Sequence, residues 1–280
     1  MPTKKRKSAP VGVIGKVLRI LELLDQTPAG LQLKDIAAKT GINKSTVHRF
    51  VSHLETEAYL YRDATGTYML GPKLVRLGSG VSFQATLANI CHPTLERLRE
   101  VTDETVNLAV LDGVSILYLD VLESFHTFRL ASQVGMRRPL HCTSLGKAIL
   151  ANMDDTRKQD QILSSIQFSA DTSRTLGSVA RLKKDLAQTR VQGFALDDEE
   201  AQVGARCIGA AIYGPDAQVL GAISVSGPVS RVSKERLPFF SAEITKAARE
   251  ISWRLGYRVP KAEQRSPKPL RAKRAVPARS

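Results

Sequence analysis

One stretch, Leu33 to Leu54, limits what this chain can fold into more than any other: LKDIAAKTGINKSTVHRFVSHL. Leu33, Ile36 and Ala37 fall on one face of a short helix. Val47, Phe50, Val51 and Leu54 recur at i, i+3, i+4 and i+7 on one face of a second. Between them Lys39-Thr40-Gly41-Ile42 predicts a tight turn, because glycine takes a positive φ after a helix end at little steric cost. Asn43 or Lys44-Ser45 can then cap the second helix through a short polar side chain. Small Ala37 permits close approach, Gly41 turns the corner and Val47 fills the gap, which is a helix-turn-helix pattern. Opposite the apolar stripe lie Lys44, Ser45, Thr46, His48, Arg49 and Ser52, a cationic and hydroxyl-bearing surface of the kind that bonds base edges and phosphates. The plain alternative for such a face is a solvated helical hairpin.

The flanks favour the DNA-reading interpretation. Val13, Val17, Leu18, Ile20, Leu21 and Leu24 predict an amphipathic third helix. Ala58–Arg62 and Thr67–Leu70, closed at Thr65-Gly66, predict a β-hairpin. Three helices and a hairpin make a winged helix-turn-helix, with Arg62 and Thr67 placed to touch phosphates from the wing.

Charge separates the chain into parts. Net charge is +4 over residues 1–10, +3 over 11–77, 0 over 78–257 and +7 over 258–280. Cationic arms thus flank a small reading head and a neutral body, and such arms add salt-dependent affinity for a duplex by releasing counterions. The plain reading of each arm is a disordered, solubilising end. Lys4-Lys5-Arg6-Lys7 matches a nuclear import signal only as weakly as any short basic run. No apolar run approaches the ~18 residues of a membrane span, and Lys16 breaks the stretch behind the basic N-terminus, so neither a span nor a secretory signal is expected. Cys91, Cys142 and Cys207 are few and odd in number, which suits a reducing cytoplasm.

Residues 73–92 predict a helical linker, with a joint at Gly78-Ser79-Gly80 and Pro93 in the first turn of the next helix. Leu74, Val75, Leu77, Leu87 and Ile90 offer it a partner-subunit surface. Strands are predicted at Val106–Leu111 and Ser115–Val121, joined by Asp112-Gly113, and at Thr127–Ala131. Helices follow over Lys147–Asn152, about Thr156–Ile166 and Ser178–Gln192, the last burying Val179, Leu182, Leu186 and Ala187. Strands Phe194–Asp197, Ala205–Tyr213 and Gln218–Ser226 and a helix from about Lys234 to Leu255 complete an α+β domain with an antiparallel sheet.

Alternation along two of these strands is unusual. Cys207, Gly209, Ala211 and Tyr213 share one face of the first, and Ala222, Ser224 and Ser226 one face of the second. A face so short of bulk leaves a void unless something fills it. Either a helix packs tightly there, or a small molecule does. The run Thr143-Ser144-Leu145-Gly146 stands at a helix start, where free N–H groups favour an anion.

Residues 11–257 resemble the IclR family of bacterial transcription regulators. The resemblance is carried in order by LKDIAAKTGINKSTVHRF, GTYMLGPKLVRLG, TVNLAVLDGVSILYLD, RLASQVGMRRPLHCTSLGKAILA, QGFALDDEEAQVGARCIGAAIYG and AISVSGP. It implies a DNA-binding domain over 11–72, a linker over 73–92 and a GAF-like effector-binding domain over 93–257, between basic tails at 1–10 and 258–280. It further implies a homodimer or dimer of dimers, an operator with inverted half-sites in double-stranded DNA, and a small organic or aromatic acid as effector. The effector site implied comprises the loop of Ser144, Leu145 and Gly146, with Asp197, Cys207, Ser224 and Ser226. Ser144-Leu145 stands where some members have Gly-Ala, which narrows the mouth. An Asp197 beside an anion suggests that it accepts a hydrogen bond from a ligand hydroxyl, or is itself protonated.

Other classes find less support. Neither a nucleophile elbow, a Walker loop, HExxH nor a dinucleotide fingerprint is present, so Cys142, Cys207, His141 and the run Asp197-Asp198-Glu199-Glu200 receive no catalytic role; that run reads in part as a solvated edge. The adjacent pairs Cys91-His92 and His141-Cys142 lack the spacing of a structural zinc site, so no metal or other cofactor is expected. The serious rival is a nucleoid-type DNA-binding protein without ligand control. Either way the expected location is the cytoplasm, at the nucleoid.

Overall fold

A computed structural model describes residues 12–79 and 82–258. The tails expected at 1–10 and 258–280 lie outside the described residues, apart from Arg258, and so does Gly80 of the expected joint. The chain forms two compact units that divide between Phe83 and Gln84, and each is described by itself.

The first unit begins with α1 (Val13–Asp25), α2 (Leu33–Thr40) and α3 (Lys44–Thr56). Gly41 caps α2 at φ +67°, and the Asn43 side chain caps α3 by accepting from the Ser45 N–H at 3.0 Å. Ile20, Leu24, Ile36, Val47, Phe50, Val51 and Leu54 close one core with Leu60 and Tyr68. The wing is β2 (Leu60–Arg62) and β3 (Thr67–Leu70), and β3 also pairs with the two-residue β1 (Leu31–Gln32), a strand too short to carry a period. The α1 expectation needs correction. Ile20 and Leu24 point inward, but Val13 and Leu18 are exposed, because residues 18 and 20 lie nearly opposite each other on a helix. A helix α4 (Pro72–Ser79) follows and ends at Ser79, within the expected joint, with Gly78 still helical.

In the second unit α5 (Phe83–Thr102) is continuous through Pro93, which therefore lies mid-helix rather than in a first turn. Leu87 is buried in this unit's core and is not available to a partner, unlike Val75 and Leu77 of α4, which are exposed. Six antiparallel strands follow in the order β6-β5-β4-β9-β8-β7: β4 (Thr105–Asp112), β5 (Ser115–Leu122), β6 (Arg137–Pro139), β7 (Ala195–Asp198), β8 (Ala205–Tyr213) and β9 (Val219–Pro228). Asp112 pairs with Ser115, so the first hairpin turns at Gly113-Val114, one residue later than Asp112-Gly113.

Thr127–Ala131 is not a strand. The carbonyl of Leu130 accepts from Thr105 Oγ1 and that of Phe128 from Arg231, so side chains satisfy this loop and Arg137–Pro139 supplies the edge strand instead. One sheet face, with Leu108, Ile208, Ile212, Ile223 and Val225, packs on α5 and on α9 (Leu237–Arg254). The other, with Ala109, Ile116 and Ala222, packs on α6 (Ser144–Ala151) and α8 (Val179–Gln192); α7 (Thr156–Ser165) lies between these two in the chain. Leu182, Leu186 and Thr189 are the buried residues of α8, while Ala187 is exposed, contrary to the amphipathic reading. Among the described residues no helix is long and apolar enough to cross a membrane.

Candidate functional sites: a recognition helix and a sheet cavity

In the first unit α3 buries its apolar stripe and turns Lys44, Ser45, His48 and Arg49 outward, with Thr46 and Ser52 half-buried. The Ser45 hydroxyl donates to Asn43 Oδ1 at 2.8 Å, so the cap residue orients it. Among the described residues neither Lys44 nor Arg49 pairs with a carboxylate, and the Arg49 guanidinium lies 5.5 Å from the Phe50 ring centre. The wing is tied by Asp63, whose Oδ1 accepts from the N–H groups of Thr65 and Thr67, both at 2.9 Å. These bonds and the Thr65 hydroxyl hold the Asp63 carboxyl below its usual range. Arg62 is exposed over the Tyr68 ring at 5.4 Å, whereas the Thr67 hydroxyl lies 2.9 Å from that of Thr65, within the turn itself.

The second unit contains a cavity of about 340 Å³ on the α6 face of its sheet. Register explains its walls. Asp197 on β7 stands opposite Cys207 on β8, Cys207 opposite Ser226 on β9, and Ser224 opposite Asn107 on β4. Tyr118 on β5 and Arg138 on β6 continue the lining toward the other edge. The small-residue face thus serves both purposes weighed from the sequence. A Cβ at Gly209 would lie 2.6 Å from the Ser144 carbonyl oxygen and Ala222 is part of the core, so α6 packs tightly there; Ser224, directly opposite Gly209, and the next pair, Cys207 and Ser226, border open space.

The N-terminus of α6 closes the cavity. Thr143 Oγ1 accepts from the Gly146 N–H at 3.1 Å and the Thr143 carbonyl from the Lys147 N–H. The first two N–H groups, of Ser144 and Leu145, have no partner among the described residues, and both residues line the cavity. Of the seven residues expected here, Ser144, Leu145, Asp197, Cys207, Ser224 and Ser226 line this one space. Gly146 does not: a Cβ there would lie 2.4 Å from the Leu140 carbonyl, so its role is close packing. Tyr118, Met136, Arg138 and the loop residues Arg129–Ser132 also line the cavity; no sequence pattern points to them, and the loop's alternation imitates a strand.

Asp197 is 2% exposed. Burial raises its carboxyl to about 6, against the pull of the N–H groups of Glu200 (2.8 Å) and Ala201 (3.3 Å) and of Lys147. The Cys207 thiol bonds to Asp197 and Ser226, and burial pushes it far up, so it stays protonated and is no nucleophile. Cys142 is raised to about 12 for the same reason. Asn107 Nδ2 lies 3.1 Å from Ser224 Oγ and 3.3 Å from Ser226 Oγ, while its buried Oδ1 has no partner among the described residues.

The acidic run is not a solvated edge. Asp198 pairs with Arg206 at 2.5 Å, Glu199 with Arg174 at 2.9 Å, and Glu200 is buried against Lys147. His141 is fully buried edge-on to Phe168, and His92 pairs with Asp120 at 2.6 Å. Among the described residues no three His, Cys, Asp or Glu side chains gather in a way that could hold a metal ion.

Comparison with known proteins agrees with this architecture. A family model described as the IclR helix-turn-helix domain matches residues 13–64, and one described as the bacterial transcriptional regulator IclR C-terminal matches residues 81–253. The chain is 33% identical over 242 residues to the transcriptional repressor IclR of Escherichia coli strain K12, covering 85% of this chain and 88% of that protein. It is 36% identical over 249 residues to the HTH-type transcriptional regulator BhcR of Paracoccus denitrificans, covering 88% of each. The crystal structure of Thermotoga maritima IclR superposes with a TM-score of 0.60 at 28% identity, covering 87% of this chain and 98% of that one.

Proposed function

This chain belongs to the IclR family of bacterial transcription regulators, and from that premise we propose that it is a ligand-responsive one: α3 reads an operator, and the second-unit cavity senses a small, hydroxylated or aromatic organic acid. The observation that carries the sensing half is the meeting of two free N–H groups, a buried carboxylate and small hydroxyl and thiol side chains in one space. The N–H pair receives the acid's carboxylate. Asp197 accepts from a ligand hydroxyl, which relieves the repulsion between the two acids. In this reading the protein works in the cytoplasm, on genes that consume the acid it senses.

A dimer supplies two recognition helices for inverted half-sites, whose spacing must match their separation. Val13, Ile14 and Leu18 of α1 with Val75 and Leu77 of α4 are exposed apolar side chains that suit such an interface. The effector regulates only by preferring one arrangement of the heads, since equal affinity for both shifts nothing. DNase footprinting on the DNA flanking the protein's own gene, with and without added hydroxy acids, tests this. A footprint that changes with acid supports the reading; one indifferent to every acid tried leaves only constitutive DNA binding.

Reading by α3 has its own test. Arg49→Ala is expected to weaken operator binding by about 1–3 kcal/mol if the guanidinium spans a guanine edge. Fluorescence anisotropy at fixed salt measures it. Unchanged affinity would remove Arg49 from the set of reading residues.

A further inference from the structure

We propose that Arg138 is a specificity-determining residue of the cavity: it takes a second carboxylate, so that the effector is a hydroxylated dicarboxylic acid. The proposal rests on the cavity being an organic-acid site.

Three charged side chains line the cavity: Arg129, Arg138 and Asp197. Arg129 is already committed, because its Nε and Nη2 both donate to Glu123 Oε2, at 2.9 and 2.7 Å. Asp197 receives two backbone N–H groups and the Cys207 thiol. Arg138 is half-buried, faces the same space, and pairs with no carboxylate among the described residues. Its neighbour Arg137 does pair, with Asp112 at 2.6 Å. The cavity therefore presents one guanidinium in contact with no carboxylate of the described residues. A planar guanidinium in that position is matched by a carboxylate, which it can grip through two parallel N–H bonds.

Position argues that this is a second acid group rather than the one held by α6. Ser144 sits over Gly209 on β8, whereas Arg138 stands on β6, opposite Ile116 in register. In the strand order β6-β5-β4-β9-β8 those anchors are four steps apart, each about 4.8 Å along the sheet. The two anchors thus start from well-separated strands, which gives the guanidinium room to take an acid group of its own across the cavity. Arg138 lines the same cavity as Tyr118 and Cys207. A short chain with an acid at each end and a hydroxyl near Asp197 fits the three anchors and the 340 Å³ between them.

The test is calorimetric titration of the full chain with matched acids that differ only in the second carboxylate: malate against 2-hydroxybutyrate, and 2-hydroxyglutarate against 2-hydroxyvalerate. Wild type is expected to bind a diacid about ten- to a hundredfold more tightly than its partner, as a charge-assisted pair provides. Arg138→Met should weaken the diacid far more than the monoacid and so erase that preference, and Arg138→Lys should keep part of it. Thermal melts of both variants check that the fold is intact. Monoacids binding as well as diacids would overturn the proposal while leaving the acid site standing, as would a diacid preference that survives in Arg138→Met. Binding of none of the four acids would overturn the dicarboxylic proposal, while the footprinting with added acids judges the acid site itself.

Discussion

Lys147→Met is expected to cost the second unit about 3–5 kcal/mol at pH 8, the loss typical of a buried ion pair left with one member. Lys147 is fully buried on α6, three residues after Ser144. Its Nζ donates to Glu200 Oε1 at 2.5 Å and to the Leu196 carbonyl, and lies 3.3 Å from Asp185 Oδ2. These contacts tie the helix that closes the cavity to the segment that presents Asp197. Without the ammonium, Glu200 remains at 7% exposure, with Oε2 already unpartnered among the described residues. Burial already pushes the Glu200 carboxyl upward, and losing Lys147 removes the opposing pull. The variant's Glu200 therefore keeps its proton to higher pH than the unfolded chain does. That preference for the neutral form penalises folding at pH 8 and little at pH 5, so urea denaturation at the two values should show a larger deficit at the higher one. Glu200→Gln added to Lys147→Met should recover part of the loss. A deficit independent of pH would mean that packing, not charge, is what Lys147 contributes.

The parts legible in the sequence are those in which local chemistry and tertiary packing agree. Gly41, Asn43 and the α3 stripe each follow from a local rule, and the tertiary core adopts them unchanged. Strand β8 is found over Ala205–Tyr213, where alternation is strict because one face meets an aliphatic core. Elements decided from outside themselves were not legible. Arg137-Arg138-Pro139 has neither alternation nor β-branched residues and becomes a strand because β5 needs an edge partner. The alternating Thr127–Ala131 does not, because Thr105 and Arg231 reach its carbonyls from distant parts of the chain. That exchange hid Arg138 and the loop beside it. Gly146 lies among residues that border the cavity, and only the approach of the Leu140 backbone shows that its missing side chain serves packing.

Asp197→Asn is expected to make the protein more stable at neutral pH while dulling its response to hydroxylated acids. Burial holds the folded carboxyl at about 6, whereas an unfolded aspartate titrates near 3.9. Between those values the native state binds the extra proton, so the group's contribution falls as pH rises through the window and is flat above it. Two units amount to about 3 kcal/mol, and at 2% exposure solvent offers little screening. Asparagine keeps an oxygen for the N–H groups of Glu200 and Ala201 but carries no charge to bury. The variant should therefore exceed wild type by up to about 3 kcal/mol at pH 7.5, with the difference closing toward pH 4. Urea denaturation from pH 4 to 8 measures it, and calorimetry with the hydroxy acids measures the accompanying loss of affinity. A less stable variant at pH 7.5 would mean that Lys147 and the two N–H groups outweigh burial, leaving no deficit for a ligand hydroxyl to relieve. The expected result places the cost of an ionised, buried carboxylate where a ligand would offset it, which is how a binding site trades stability for recognition.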